Sequence, residues 1–181
     1  ICKFSKDGSK LEYATYFGGP TKGPRVDCFT VDQKGNAYLA GGYAADDFPI
    51  TENCYSSNPL ITPIYQYLSK INPTGSQLVF STFLALDPHE IAVDESENVY
   101  IGYDSQKFPV TSGVYNTDTF QAYGFCKFAP EGNRLVFSTR TFGFGYPFPG
   151  YDVAMSGIGF DSVGRVYLVG NSRGRVPLPV T

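Results

Sequence analysis

Glu90 to Asp104 reads EIAVDESENVYIGYD, and the same design returns twice, as CFTVDQKGNAYLAGG from Cys28 to Gly42 and GIGFDSVGRVYLVGN from Gly157 to Asn171. In each copy apolar residues alternate with small or polar ones. An Asp followed by Gly or Asn then makes a turn, and the alternation resumes. This pattern predicts two short antiparallel strands joined by a tight hairpin. A hairpin that recurs at a long interval is the signature of a repeat architecture.

A second hairpin precedes each of these. ICKFSKDGSKLEYATYFGG opens the chain, LSKINPTGSQLVFSTFLA starts at Leu68, and CKFAPEGNRLVFSTRTFG starts at Cys126. All three share a Lys, a polar turn ending in Gly8, Gly75 or Gly132, and then Leu11, Leu78 or Leu135. An alternating strand follows, with Tyr13, Phe80 or Phe137 and then Thr15, Thr82 or Thr139. Glycine supplies the positive φ of a hairpin turn, and Pro73 and Pro130 preset its entry. Between the two hairpins lies a connector of variable length, GPTKGPRVD, LDPH or GFGYPFPGYDVAMS, which is expected to be a surface loop. A proline-containing tail closes each unit: DFPITENCY from Asp47, KFPVTSGVY from Lys107 and PLPVT from Pro177. Proline lacks the donor a central ladder needs, so the tail is expected to be a connector or an edge.

The turn aspartates Asp32, Asp94 and Asp161 are spaced by 62 and 67 residues, and Pro49, Pro109 and Pro179 by 60 and 70. Four strands in two hairpins, on a period of roughly sixty residues, match the blade of a β-propeller. The expected fold is therefore all-β, with about three four-stranded antiparallel blades forming part of a larger ring. The units run 1–63, 64–123 and 124–181. Composition agrees: 20 Gly, 13 Pro, 14 Tyr and 15 Phe suit many short strands with aromatic layers between sheets. Three blades fall short of the four to eight that close a ring. The missing partners would be further blades of a longer parent chain, the preferred reading, or identical chains, two of which make six blades. The mid-repeat start at Ile1 suggests an excised piece, with Ile1 to Ser5 needing a neighbour.

The motif that runs from Asn72 to Thr82 and resumes at Ile91 to Asp94, together with Val31 to Gly41 and Asp47 to Thr51, resembles the bacterial SBBP β-propeller repeat. The hairpin is also similar to the NHL-type repeat. The resemblance spans essentially the whole chain in three copies. The chain departs from the pattern at Phe29-Thr30, at Glu97 where Gly is expected, at Arg165 in place of Asn, and around Val176 to Pro179. What the resemblance implies is a secreted or cell-surface prokaryotic protein, most often without enzymatic activity.

Several residues are candidates for chemistry. Asp32, Asp94 and Asp161, one per unit, offer hard oxygen ligands for calcium, although the turn lacks the carboxylate density of a dedicated calcium loop. The competing and preferred reading is an Asx turn, in which the carboxylate accepts its own hairpin's N–H groups. His89, the only histidine, stands beside Glu90, but neighbouring strand residues point to opposite faces, which spoils an acid/base pair. No hydrolase motif is present, so an enzyme is not expected and no catalytic residue or cofactor is assigned. Of the cysteines, Cys2 and Cys126 hold equivalent places in separate units, while Cys28 and Cys54 share a unit and form the better candidate disulfide; buried free thiols are the equal alternative. The connector aromatics Phe142, Phe144, Tyr146, Phe148 and Tyr151 do not recur, and they suit either a sugar or protein contact or self-packing of the loop.

With 17% charged residues, a net charge of −3 and no Lys/Arg cluster, the chain does not look like a nucleic-acid binder. It also has no apolar run long enough to span a bilayer. The expected role is a structural or protein-interaction module, extracellular or at the cell surface, whose partners are other blades or identical chains. The alternative is a carbohydrate-binding propeller that takes a surface polysaccharide. A propeller enzyme with its active site in blades beyond these three is the third reading.

Overall fold

The turn chemistry sets the strands. Asp32 N–H bonds the Asn36 carbonyl at 3.1 Å and Gly35 N–H bonds the Asp32 carbonyl at 3.0 Å, with Gly35 at φ 85°. The same two bonds recur at Asp94/Asn98 and at Asp161/Arg165. The residue that must turn left-handed is Gly164 in the third copy and Glu97, at φ 63°, in the second. The other hairpin type turns at Gly8, Gly75 and Gly132, with φ of 72°, 70° and 67°.

A computed structural model describes residues 1–44, 47–56, 65–105, 107–117, 123–141 and 152–173. Among them there is no helix, and the strands are β1 (Cys2–Phe4), β2 (Leu11–Ala14), β3 (Arg25–Val31), β4 (Ala37–Ala44), β5 (Tyr65–Ile71), β6 (Leu78–Leu84), β7 (Asp87–Val93), β8 (Val99–Asp104), β9 (Tyr123–Phe128), β10 (Leu135–Arg140), β11 (Asp152–Phe160) and β12 (Val166–Arg173). All pairings are antiparallel. Two four-stranded sheets run β3-β4-β5-β6 and β7-β8-β9-β10, and two two-stranded sheets are β1-β2 and β11-β12.

Each four-stranded sheet thus joins the Asp-turn hairpin of one sequence unit to the Gly-turn hairpin of the next, through β4–β5 and β8–β9. Sheet and sequence unit are out of phase by one hairpin. The first strand of each Asp-turn hairpin is longer than its motif. β3, β7 and β11 reach back into the connectors, past a register shift at Val26/Cys28, Pro88/Glu90 and Met155/Gly157. A bulge inserts one residue and bends the strand, here at the equivalent positions Asp27, His89 and Ser156. Only Ala85 and Leu86 then separate β6 from β7.

The sheets lie face against face. β3 adjoins β7, and β7 adjoins β11. Tyr38, Ala40, Leu68 and Phe80 on one sheet meet Ile91, Val99, Ile101, Tyr103 and Phe128 on the next. The opposite face of the first sheet buries Ala37, Leu39, Tyr67 and Phe83 with Ile1, Phe17 and Phe48. Burial on both faces explains why β4 reads AYLAGG rather than as a clean alternation. The proline tails run along the outer edge: Thr51 N–H bonds the Ser81 carbonyl on β6, and Thr111 N–H bonds the Ser138 carbonyl on β10. That edge position suits a segment whose proline cannot donate.

Candidate functional site: the Asp-turn cavity

The three Asp turns, each from a different sheet, meet around one cavity of about 510 Å3, with Val31, Val93 and Phe160 among its walls. That volume lies within the usual range for ligand pockets. What decides its chemistry is how the carboxylates are already engaged.

Asp32 Oδ1 accepts the N–H groups of Lys34 and Asn36, both at 2.9 Å, while Oδ2 accepts Asn36 Nδ2 at 2.7 Å and the Tyr38 hydroxyl at 3.1 Å. Asp94 repeats this with Ser96 N–H at 3.0 Å, Asn98 N–H at 2.8 Å, Asn98 Nδ2 at 2.8 Å and the Tyr100 hydroxyl at 3.2 Å, and adds Lys127 Nζ at 3.4 Å. At Asp161 the donors are Val163 and Arg165 N–H, and Arg165 Nε at 2.6 Å takes the place of the asparagine amide. Partial burial works to raise the carboxyls of Asp32 and Asp94, but the donors from Asn36 and Asn98 outweigh it and hold both below the usual carboxylate range. Asp161 is held low first by the Arg165 N–H. Four donors occupy about all the lone-pair positions a carboxylate has. The geometry is that of an Asx turn in all three copies. Among the described residues, no three His, Cys, Asp or Glu side chains gather closely enough to hold a metal ion.

Glu97 stands at the rim of this turn in the second copy. It is ion-paired to Lys34 on the preceding sheet's turn and to Lys70 at 2.5 Å. Those two lysines hold its carboxyl below the usual range. The Lys34 side chain is largely in water, whereas that of Lys70 is buried, so the Lys70 contact carries more of the energy. Lys70 Nζ also lies 5.0 Å from the Tyr38 ring centroid, and Lys127 Nζ lies 4.9 Å from that of Tyr100. An Asp–Tyr–Lys stack therefore repeats from sheet to sheet.

His89 is exposed, at the bulge of β7, with its ring centroid 6.2 Å from that of Tyr123. Burial raises the Asp104 carboxyl against the opposing pull of His89. All four cysteines are free. Cys28 and Cys54 are not bridged, and the sheet explains why. Cys28 sits on β3, while Cys54 lies between Thr51 and Ser56, which bond β6 at the opposite edge. Three strand spacings, about 14 Å, separate those edges, against the roughly 7 Å limit between bridged Cα atoms. Burial, with Glu90, Asp27 and Asp87 nearby, pushes the Cys28 thiol up to about 12. Burial also raises the fully enclosed Cys126. Both are poor nucleophiles as a result.

Arg140 is a buried charge that the repeat pattern hides. It replaces the Phe83 of the preceding sheet, and its guanidinium donates to the carbonyls of Ser105 and, at 2.9 Å, Phe108, so pinning the second proline tail. The break in an otherwise aromatic position was its only sequence signal. Phe142, Phe144, Tyr146, Phe148 and Tyr151 lie outside the described residues. Among the described residues no helix is long and apolar enough to cross a membrane. Compared with known proteins, the chain matches no family model, and no curated protein matches it significantly.

Proposed function

We propose that the chain is a partial β-propeller acting as a structural or protein-interaction module of a secreted or cell-surface protein. One observation carries the reading: three Asp turns from three successive sheets converge on one cavity, as hairpins arranged around an axis do. The successive contacts of β3 with β7 and β7 with β11 support it. The carboxylates facing the cavity are saturated by their own hairpins, which suits rigidity rather than ligand exchange. The extracellular setting rests on the resemblance of the repeat.

A polysaccharide and glycan screen on the purified chain tests this role. The expected outcome is no turnover, with a scattering profile that fits sheets set around an axis. Product release from any glycan, or a profile that fits a flat two-sheet sandwich, would overturn it.

A further inference from the structure

The two half-sheets carry mutually complementary edges. β12 pairs only β11 and β1 pairs only β2 among the described residues, which leaves one free edge on each. In the two complete sheets, the corresponding strands are joined. β4 meets β5 with Tyr38 opposite Lys70 and Leu39 opposite Ser69, and β8 meets β9 with Tyr100 opposite Lys127 and Ile101 opposite Cys126. Placed in the same register, β12 would meet β1 with Tyr167 opposite Lys3 and Leu168 opposite Cys2. That would rebuild the Asp–Tyr–Lys stack, since Tyr167 already reaches Asp161.

Exposure marks the same two surfaces. Tyr167 is 56% exposed, against 0% for Tyr38 and 4% for Tyr100. On the other surface Phe29 of β3 is 70% exposed, while its counterpart Ile91, covered by the preceding sheet, is 7%. Phe4, Val31 and Val169 are exposed on these surfaces too.

The Gly-turn hairpins supply a second, independent fit. The Cα of Gly75 sits so close to the Tyr13 ring that an added Cβ would lie 2.5 Å from it, and Gly132 seats on Phe80 in the same way. Each turn thus rests on the aromatic ring of the preceding sheet. The next ring in the series, Phe137, has no turn on it among the described residues and lines an apolar cavity of about 330 Å3 with Phe125 and Leu168. The turn without a seat is at Gly8, which has nothing within 4 Å of an added Cβ.

We propose that these surfaces bind a second copy of this chain, head to tail. The β1–β2 hairpin of one copy would complete the β11–β12 sheet of the other, with Gly8 seated on Phe137. This rests on the propeller reading above. Such a contact is heterologous, and two copies related by a two-fold axis make it twice. The pair would contain six four-stranded sheets, within the range of closed rings, and would leave neither of these edges bare.

The test uses the full 181-residue chain carrying Leu168→Cys, oxidised with diamide at rising protein concentration. The expected product is a disulfide-linked pair of twice the 19.8 kDa chain mass, whose digest contains a peptide joining Cys2 of one copy to the thiol introduced by Leu168→Cys in the other. The link should vanish when Cys2→Ser is added to Leu168→Cys, and it should not form with Val169→Cys, whose side chain points to the other face. Tyr167→Lys, which sets a charge against Lys3, serves if Leu168→Cys misfolds. It should weaken self-association of the otherwise native chain at least tenfold by sedimentation equilibrium. A wild-type chain that stays monomeric at every concentration, or one that associates without this bridge and without response to Tyr167→Lys, overturns the proposal. Glycan turnover would instead sink the scaffold role, whatever the mass.

Discussion

Glu97 holds a left-handed backbone conformation that Gly35 and Gly164 adopt in the sister turns. For a residue with a Cβ this costs about 1–2 kcal/mol. Its ion pair with the buried Lys70 offsets that cost. Removing the partner of a largely buried charge is destabilising, discounted here because the Lys34 contact lies in water. Glu97→Ala should therefore lose about 2–4 kcal/mol in urea unfolding, and Glu97→Gly should lose about 1 kcal/mol less because the strain goes too. Equal losses would mean the strain is absent. The carboxyls of Asp32, Asp94 and Glu97 are all held below their ordinary values. Groups depressed in the folded state stabilise it above the unfolded pKa, and that contribution is lost as pH falls through the folded values. Stability should be flat from about pH 7 to 5 and decline below about pH 4; a fold that strengthens on acidification would contradict the turn geometry. At concentrations too low for association, Ellman's reagent should modify the exposed Cys2 rapidly and leave the buried Cys126 untouched until the chain unfolds.

At the level of the elements, the two hairpin types do different jobs. Asp-turn hairpins form one half of each four-stranded sheet, and Gly-turn hairpins form the other half and seat it on an aromatic ring of the preceding sheet. Gly75→Ala meets both a positive φ and the Tyr13 ring, whereas Gly8→Ala meets only the positive φ. In chain concentrations too low for association, Gly8→Ala should cost about 1 kcal/mol and Gly75→Ala about 1–3 kcal/mol more. The difference between the two melting curves measures the stacking contact, and no difference would refute it. Both hairpins could be read from the residues because their signals are local: an Asp or Asn, a Gly and alternation on either side. Which hairpins share a sheet could not. β4 and β5 carry apolar residues on both faces, so nothing in their pattern distinguishes a partner within the unit from one in the next. Cys28 and Cys54, paired in the sequence as a candidate bridge beside the equal alternative of free thiols, lie towards opposite sheet edges for the same reason, since nearness in a unit is not nearness across a sheet. The three aspartates show the converse. Their turn role was legible, but their convergence on one cavity depends on how the sheets stack.

For the whole molecule, protection should follow the number of neighbours a strand has. β4 and β5 lie inside a sheet and are buried on both faces, while β1, β2 and β12 border open edges. Amide exchange at low concentration should be slowest in β4 and β5 and fastest in β1, β2 and β12. At high concentration the β1 and β12 amides should slow selectively if the head-to-tail pair forms, and an unchanged pattern would count against it.

The one-hairpin offset between sheet and sequence unit also governs how the chain resists being pulled apart. Each unit of a tandem repeat touches only its neighbours, and a terminal unit held by side chains alone can peel away without disturbing the main chain of the rest. Here β4–β5 and β8–β9 stitch each unit to the following one with backbone hydrogen bonds. No unit can detach until a ladder it shares with its neighbour has been unzipped, and fraying at one terminus has to cross those seams before it can spread.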